Sequence, residues 1–229
     1  MSYLLRIDAS ASGAASFSRR VADTFTAAWT SKIVTRDLAL DPVGHLGAAG
    51  ITARTTPAAE WSTDQAASAA LQDELVEEFL GAEAYLFAVP MYNYSIPSAF
   101  KAWLDHVMIP GRTIGLGPNA APTAGRPAVV VSARGGGYGP GAPQHGKDYL
   151  VPALRTLLSD TVLFGLDVHF ITPELTFAPT VAELRHLLPR HEESLAESHA
   201  LARKHALELT IRPRAAHAVH AGEPSVTTG

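Results

Sequence analysis

The sequence predicts an α/β fold in which a five-stranded, mostly parallel β-sheet lies between two layers of helices. Short apolar segments alternate along the 229 residues with longer segments whose apolar residues recur at helical spacing. This alternation is typical of parallel strands joined by helices that cover both faces of the sheet. Five strands and five helices are predicted, and this number favours the strand order 2-1-3-4-5. We expect a single domain over residues 1–212, because the length suits one core.

The first half of the chain is predicted to contain three strands, with one helix between each successive pair. Phe17, Val21 and Phe25 recur at helical spacing in the first helix, and Leu75 and Phe79 do so in the second. Several prolines and glycines after the second strand predict a loop. The predicted strands are residues 3–7, 32–38 and 84–89, the helices are about residues 16–30 and 62–80, and the loop is residues 42–57.

The second half is predicted to contain two further strands and the remaining helices. A helix begins near Pro97, where the missing N–H of proline costs no hydrogen bond, and ends before Pro110. Residues 180–183, Thr-Val-Ala-Glu, match the capping-box pattern, which predicts that a last helical region begins there. Pro189 is expected to kink that region or to divide it in two. The last two strands are predicted at residues 127–132 and 166–171, and the helix between them at about residues 147–163.

The composition excludes several classes of function. Without cysteine, the chain has no disulfides, thiolate nucleophiles, iron–sulfur clusters or cysteine-based zinc sites, so redox chemistry would need a bound organic cofactor. A net charge of -4 and the lack of a basic run make nucleic acid an unexpected partner. No apolar stretch approaches the ~20 residues needed to cross a bilayer, so no membrane association is expected. The N-terminus does not resemble a signal peptide, and a cytoplasmic location is expected.

The ten histidines do not form a recognisable metal site. His186, His191, His199 and His205 are five, eight and six residues apart, and this spacing misses the i, i+4 pairing of a helical metal site. We therefore predict no bound metal. Residues 213–229 are rich in Ala, His, Pro, Ser and Thr and lack an apolar period, so they are predicted to be a disordered tail.

The first of three informative loops follows the first strand. Residues 8–18 are small and rich in hydroxyl groups, and they lead into a helix. Free N–H groups and the helix dipole make an anion site at such a helix N-terminus. The loop lacks the lysine of a Walker A motif, so it suits a phosphate bound without magnesium, such as that of a flavin nucleotide. The alternative is that Ser16 or Ser18 simply caps the helix.

The other two loops follow the third and fourth strands. Residues 90–94 combine Met91, two tyrosine rings and the amide of Asn93, a set that suits a planar heteroaromatic ring; the alternative is a core turn with Asn93 in the left-handed conformation. Residues 132–141 are rich in glycine, which lets backbone approach a flat ring closely; the alternative is a surface loop. Because the three strands are neighbours in the predicted order, the loops are expected to meet around one ligand.

These residues resemble those of a known family. Pro90-Met91-Tyr92-Asn93-Tyr94, followed by Ile96-Pro97 and Lys101, is similar to a turn of the FMN-dependent NADH azoreductases, which are also NAD(P)H:quinone oxidoreductases. The resemblance extends to about residue 210. It implies a flavodoxin-like three-layer sandwich, a homodimer with FMN at the subunit interface, NAD(P)H as electron donor, and a quinone or azo compound as substrate.

The resemblance also implies which residues bind the cofactor. Phe17 stands where the family often has glutamine, and Ala133 replaces the usual serine. The segment 137–146 is longer than in compact members, which puts the shape of the substrate entrance in question. The residues implied for the phosphate and ribityl group are Ser10, Ser16, Phe17 and Ser18, and those implied for the isoalloxazine ring are Met91, Tyr92, Asn93, Tyr94, Ala133, Arg134, Gly135 and Gly136.

The implied mechanism is a ping-pong cycle in which the flavin takes a hydride from NAD(P)H and passes two electrons to the substrate. Asn93 and Gly135 are expected to tune the flavin, and no side chain is expected to be a general base. A proton would come from a side chain or from water. The candidate proton donors are Tyr94, Tyr138 and His145. The candidates for closing the pocket of a partner subunit are Trp61, residues 114–116 and Phe164, although such residues more often belong to the core. Arg54 is the candidate for a position near the nicotinamide.

Two alternatives stay open at this point. A flavodoxin-type electron carrier would share the fold and the cofactor, but it is expected to be a strongly acidic monomer. A reductase that serves one narrow substrate would share the chemistry as well. The sequence does not decide between a narrow and a general substrate range, nor between NADH and NADPH.

Overall fold

Five parallel strands form one sheet in the order β2-β1-β3-β4-β5, as predicted. The computed structural model describes residues 3–115 and 120–211, so the predicted tail lies outside the described residues. The strands are β1 (Tyr3–Asp8), β2 (Ile33–Asp37), β3 (Ala82–Ala88), β4 (Pro127–Val131) and β5 (Asp167–Ile171).

Helices cover both faces of the sheet. In the described part of the chain they are α1 (Phe17–Ala28), α2 (Ala48–Ala53), α3 (Thr63–Gly81), α4 (Ser98–Val107), α5 (Leu150–Ser159) and α6 (Leu188–Ile211). α1 and α6 pack on one face, and α3, α4 and α5 pack on the other. None of the helices described here has both the length and the apolar character needed to cross a membrane.

The register of the sheet sets three strand ends at one level. Asp8, the last residue of β1, pairs with Ala88 at the end of β3, and Ala88 pairs with Val131 at the end of β4. The chain therefore leaves these three strands side by side at the carboxyl edge of the sheet. This edge is where open α/β sheets bind ligands.

Side-chain capping explains where two of the helices begin. Ser16 caps α1, since its hydroxyl accepts a hydrogen bond from the amide of Arg19 at 3.3 Å. Ser62 and Gln65 form a reciprocal capping box at the start of α3. The apolar stripes of α1, α4 and α5 then turn toward the sheet, and the buried faces include Phe25, Trp103 and Leu154.

The prediction of a loop over residues 42–57 is wrong where α2 lies. A Cβ at Gly50 would lie 2.7 Å from the side chain of Leu46, so glycine permits the tight packing of this short helix. The side-chain amide of Gln72, on α3, donates to the carbonyl of Gly50 at 3.2 Å. Contact with α3 therefore stabilises α2. A helix of six residues carries too little periodicity to be recognised in the sequence.

The capping box predicted at residues 180–183 is not formed. The hydroxyl of Thr180 donates to the carbonyl of Phe177 at 3.3 Å, and Val181 precedes a 3-10 helix over Ala182–Leu187 without a side-chain cap. The division expected at Pro189 is confirmed, because α6 begins at Leu188 and carries Pro189 in its first turn. The helix predicted at about residues 147–163 is shorter at both ends, over Leu150–Ser159.

We predict that Phe79→Ala lowers the free energy of unfolding by about 3–5 kcal/mol. The side chain of Phe79 is fully buried, and its ring contacts those of Tyr85, Trp103 and Phe164. Urea unfolding followed by circular dichroism measures the loss. Leu40→Ala is the control, since Leu40 is 84% exposed and its replacement should change stability by less than about 0.5 kcal/mol. Equal losses in the two variants would contradict the packing described here.

Candidate functional site

Hydrogen bonds join the three predicted loops at the carboxyl edge of the sheet. The amide of Ala11 donates to the hydroxyl of Tyr92 at 3.0 Å, which links the first loop to the turn after β3. The amide of Met91 donates to the carbonyl of Ala133 at 2.9 Å, which links that turn to the glycine-rich loop after β4. The loops thus form one connected surface, as the strand order predicted.

The first loop carries a cluster of buried serines. The hydroxyls of Ser16 and Ser18 lie 3.0 Å apart, and Ser18 is fully buried. The hydroxyl of Ser10 accepts from the amide of Ser12 at 3.3 Å and lies 3.5 Å from the Tyr92 hydroxyl. The hydroxyl of Ser16 caps α1, so the alternative that Ser16 serves as a helix cap is correct for its side chain. The first amide N–H groups of α1 still have no acceptor within the helix.

An ion-pair cluster lies under the first loop. Arg19 bonds Asp37, at the end of β2, through both terminal nitrogens at 2.5 and 2.7 Å, and Asp8 at 3.2 Å. These bonds lower the pKa of Asp37. Burial raises the pKa of Asp8 even though Arg6 and Arg19 oppose the shift, because its carboxyl group is almost completely removed from water. Arg19 also donates to the carbonyl of Ser10 at 3.2 Å.

The turn after β3 is tight and strained. Tyr92 and Ser95 exchange backbone hydrogen bonds of 3.1 and 2.9 Å, and the two residues between them have positive φ angles, 48° at Asn93 and 68° at Tyr94. Asparagine tolerates this conformation, but a bulky residue such as tyrosine does so at a cost. Asn93 is exposed and Tyr94 is 42% exposed. The turn therefore presents one amide and one ring toward the outside of the site.

The glycine-rich loop is held from the side of β5. The amides of Leu175, Thr176 and Phe177 donate to the carbonyls of Gly136, Arg134 and Gly135 at 3.2, 3.1 and 3.4 Å. A Cβ at Gly135 would lie 2.3 Å from the ring of Phe177. Glycine is thus required for the Phe177 ring to lie against this backbone.

Glu174 fixes the far end of the same loop. Its carboxylate accepts from the amide of Tyr138 at 2.9 Å. Its own backbone is held by α6, because its amide donates to the hydroxyl of Ser194 at 3.0 Å and its carbonyl lies 3.2 Å from Nδ1 of the buried His191. The position of the loop thus depends on the last helix.

Arg134 turns into the protein, and its side chain does not lie along the surface of the loop. It is 3% exposed and bonds Asp148 at 2.5 Å, while its amide donates to Pro173. Its guanidinium carbon lies 5.3 Å from the centre of the Tyr138 ring. Burial, followed by the nearby Tyr94, raises the pKa of Tyr138, so this phenol keeps its proton at neutral pH.

Unused hydrogen-bonding capacity is concentrated around the loops. Over residues 3–115 and 120–211, seven buried side-chain nitrogen or oxygen atoms have no hydrogen-bond partner. Four of them belong to residues of the loops or of the segments directly beside them: Arg19 Nε, Ser132 Oγ, Arg134 Nη2 and Gln144 Oε1. Buried polar atoms are normally paired, so this concentration is typical of a site for a ligand with several polar edges.

Some predicted residues lie away from the three loops. Arg54 and Trp61 line a separate cleft of about 290 Å³, formed by α2, α3 and the chain after α4. Arg54 donates to Gln72 and to the carbonyl of Asp105, both at 2.7 Å, and burial lowers its pKa. Phe164 is fully buried in the core, so its reading as a core residue is correct. Ile114 packs against that core and His145 is exposed, while Leu116 lies outside the described residues.

Sequence reasoning missed the residues that hold the loops from outside. Glu174 and Phe177 follow the fifth strand, and Arg19 and Asp37 lie beside the first loop without belonging to it. The available signal was position, since Asp37 is the last residue of β2 and Glu174 follows β5, both at the same edge of the sheet. Within the described residues no group of three or more His, Asp or Glu side chains is arranged to hold a metal ion.

Comparison with known proteins shows the family to which the chain belongs. Residues 2–173 match a family described by the flavodoxin-like fold. A protein of Streptomyces coelicolor named FMN-dependent NADH:quinone oxidoreductase is 42% identical over 218 residues, which are 93% of this chain and 97% of that protein. A protein of Frankia casuarinae with the same name is 38% identical over 211 residues, or 90% of this chain and 99% of the relative.

Solved structures show the same fold. The azoreductase from Bacillus anthracis superposes with a TM-score of 0.76 at 20% identity, covering 91% of this chain and all of that one. A Bacillus anthracis FMN-dependent NADH-azoreductase in complex with FMN gives a TM-score of 0.74, also at 20% identity, over 90% of this chain. The chain therefore belongs to the flavodoxin-like family, among relatives that carry the name FMN-dependent NADH:quinone oxidoreductase.

Proposed function

We propose that this protein is an FMN-dependent oxidoreductase that uses NAD(P)H to reduce quinones or azo compounds by transfer of two electrons. Relatives at 42% and 38% identity over nearly the whole chain support the activity by their names. The observation in this chain that carries the proposal is the junction of the serine-rich loop with the Asn93 turn and the glycine-rich loop. A phosphate and a flat ring system need these two kinds of surface side by side.

The donor set of the first loop fits the phosphate end of FMN. Ser10, Ser16, Phe17 and Ser18 are assigned to the phosphate and ribityl group. Ser16 offers its hydroxyl at the start of α1, where amide N–H groups and the helix dipole favour an anion. The buried hydroxyl of Ser18 bonds that of Ser16, which leaves the backbone amide of Ser18 for the ligand. The side chain of Phe17 rests against the His191 ring, which leaves its amide for the ligand.

The other two loops fit the ring end. Met91, Tyr92, Asn93 and Tyr94 on one side, and Ala133, Arg134, Gly135 and Gly136 on the other, are assigned to the isoalloxazine. The exposed amide of Asn93 can donate and accept at once, which suits the mixed polar edge of the ring. The buried guanidinium of Arg134 sets the position of the loop through Asp148 and provides positive charge beside it.

When bound, FMN supplies the redox chemistry, because it takes a hydride from NAD(P)H and gives two electrons to an oxidant. The chain binds and orients the cofactor and both substrates, which use the site in turn. Tyr138 is a candidate proton donor, since its phenol is protonated at neutral pH and its ring lies 6.4 Å from that of Tyr94. No side chain is assigned the role of general base.

A homodimer is proposed as the working form, with FMN at the subunit interface. The exposed rings of Tyr94, Tyr149 and Phe177 border the site, and exposed aromatic rings beside a ligand are a suitable contact for a second copy. A cytoplasmic location is proposed with it, since the cytoplasm supplies NAD(P)H.

The first prediction for this function concerns reduction of bound flavin. Purified protein with equimolar FMN is expected to show a bound-flavin absorbance spectrum that about one equivalent of NADH bleaches anaerobically, and that a quinone or azo dye restores. Free FMN with NADH is the control for the uncatalysed rate. Absence of FMN binding would refute the site, and bound FMN that NADH does not reduce would favour an electron carrier.

A second prediction separates the two roles of Asn93. Asn93→Gly keeps the turn, because glycine adopts positive φ readily, but it removes the amide. We expect FMN to bind roughly fivefold more weakly, as for the loss of one hydrogen bond. Asn93→Ala removes the amide and also strains the backbone by about 1–2 kcal/mol, which thermal unfolding measures. If Asn93→Gly binds FMN as the wild type does, Asn93 serves the turn alone.

A third prediction concerns Glu174. Glu174→Ala removes the acceptor of the Tyr138 amide, so amide hydrogens of residues 135–144 are expected to exchange faster with solvent. Glu174→Gln is the matched control, since its amide oxygen still accepts that hydrogen bond. Unchanged exchange in Glu174→Ala would show that the loop is fixed by its other contacts.

A further inference from the structure

Arg19 occupies an unusual place between the sheet and the first loop. It is the third residue of α1, and its side chain is only 14% exposed. One terminal nitrogen bonds Asp8 and Asp37, and the other bonds Asp37 and the carbonyl of Ser10. The guanidinium therefore connects the ends of two neighbouring strands to a residue of the serine-rich loop.

Arg19 belongs to a cluster of two arginines and three aspartates. Arg6 pairs with Asp8 at 3.0 Å, so two arginines face two aspartates, and the exposed Asp23 adds a contact to Arg6 at 2.7 Å. Both terminal nitrogens of Arg19 are committed to these acceptors. The terminal nitrogens of Arg19 are therefore not available to an anion at the start of α1, and its Nε, which has no hydrogen-bond partner among the described residues, is buried. Its influence on a ligand passes through the carbonyl of Ser10.

Ser10 lies at the centre of the loop's own hydrogen bonds. Its side chain is buried, accepts from the amide of Ser12 and lies beside the hydroxyl of Tyr92, to which Ala11 donates. A shift of the Ser10 carbonyl would therefore shift the hydroxyl and amide groups of the whole loop. Asp37 fixes the orientation of the Arg19 guanidinium through two hydrogen bonds. The Asp37 carboxylate is itself fixed, because it accepts from the amides of Ala39 and Leu40 at 3.0 and 3.3 Å.

We infer that Arg19, fixed by Asp37, is a positioning residue for cofactor phosphate: it holds the serine-rich loop in the shape that binds the phosphate, without touching that group. The inference rests on the proposed function, because it presupposes that FMN binds here. It also makes the edge strand β2, which carries none of the assigned contacts, part of the cofactor site. Loss of Arg19 should weaken the hold on the phosphate and leave the hold on the ring unchanged.

Riboflavin provides the test, because it has the isoalloxazine and ribityl groups of FMN but lacks the phosphate. Dissociation constants of FMN and of riboflavin are measured by quenching of flavin fluorescence for the wild type, Arg19→Met and Asp37→Asn. We expect Arg19→Met to weaken FMN binding roughly tenfold or more, as for loss of a charge-assisted hydrogen bond, with riboflavin affinity unchanged. Asp37→Asn keeps an acceptor but loses the charge, so a smaller loss in the same direction is expected.

Arg36→Met is the matched control. Arg36 lies on the same edge strand, its side chain is 13% exposed, and it bonds Glu78 and Glu74 at 2.7 and 2.6 Å. Its loss removes a similar ion pair without touching the loop, so the ratio of the two flavin affinities should stay at the wild-type value. Circular dichroism reports whether each variant is folded, and Asp37→Asn carries the test if Arg19→Met is not.

Each remaining outcome overturns a stated part of the argument. If FMN and riboflavin weaken equally, Arg19 supports the fold in general and is not specific to the phosphate. If Asp37→Asn binds FMN more tightly, a released Arg19 contacts the phosphate itself, and the positioning role is wrong. If the wild type binds neither flavin, the proposed function fails. If the wild type binds FMN but Arg19→Met leaves the ratio of the two flavin affinities unchanged, the positioning role alone is wrong.

Discussion

The parallel pairing of β3 with both β1 and β4 is the constraint on which the site depends. It sets Asp8, Ala88 and Val131 in one register, so the chain leaves three neighbouring strands at the same height. That register brings the loops together, and hydrogen bonds then join Ala11 to Tyr92 and Met91 to Ala133. Burial of both faces of the sheet by helices makes a slip costly, since it would break the packing of both cores.

Much of the fold could be predicted from the sequence, because strands buried on both faces read as apolar runs and amphipathic helices read as periodic stripes. All five strands were located in this way. α2 could not be found, since six residues held by Gln72 carry no period of their own. The prediction of a capping box at residues 180–183 was wrong, because the hydroxyl of Thr180 bonds the carbonyl of Phe177 in a turn and does not cap a helix. Local signals decide an element only where tertiary contacts agree with them.

Only part of the candidate site could be predicted from the sequence. The residues at the loop surfaces have recognisable types: serines before a helix, an amide between rings, and consecutive glycines. The residues that fix the loops do not, since Arg19, Glu174 and Asp148 look like ordinary charged residues in the sequence. Their roles depend on contacts between residues that are distant in the chain, such as Glu174 and Tyr138, whose residue numbers differ by 36, and only a structure brings such pairs together.

Two of the three loops of the site are rich in glycine or small residues, yet contacts from other elements hold all three in place. Glycines and small residues are needed where backbone must approach a flat ligand, yet such segments have the most conformational freedom to lose. Here each loop is tied by a group from another element: Arg19 acts on the first, Tyr149 bonds the carbonyl of Tyr94 in the second, and Glu174 acts on the third. The strained φ of Tyr94 is then tolerated, because its surroundings over-determine it. Binding such a ligand orders little that is not ordered already, so more of the contact energy is available for affinity.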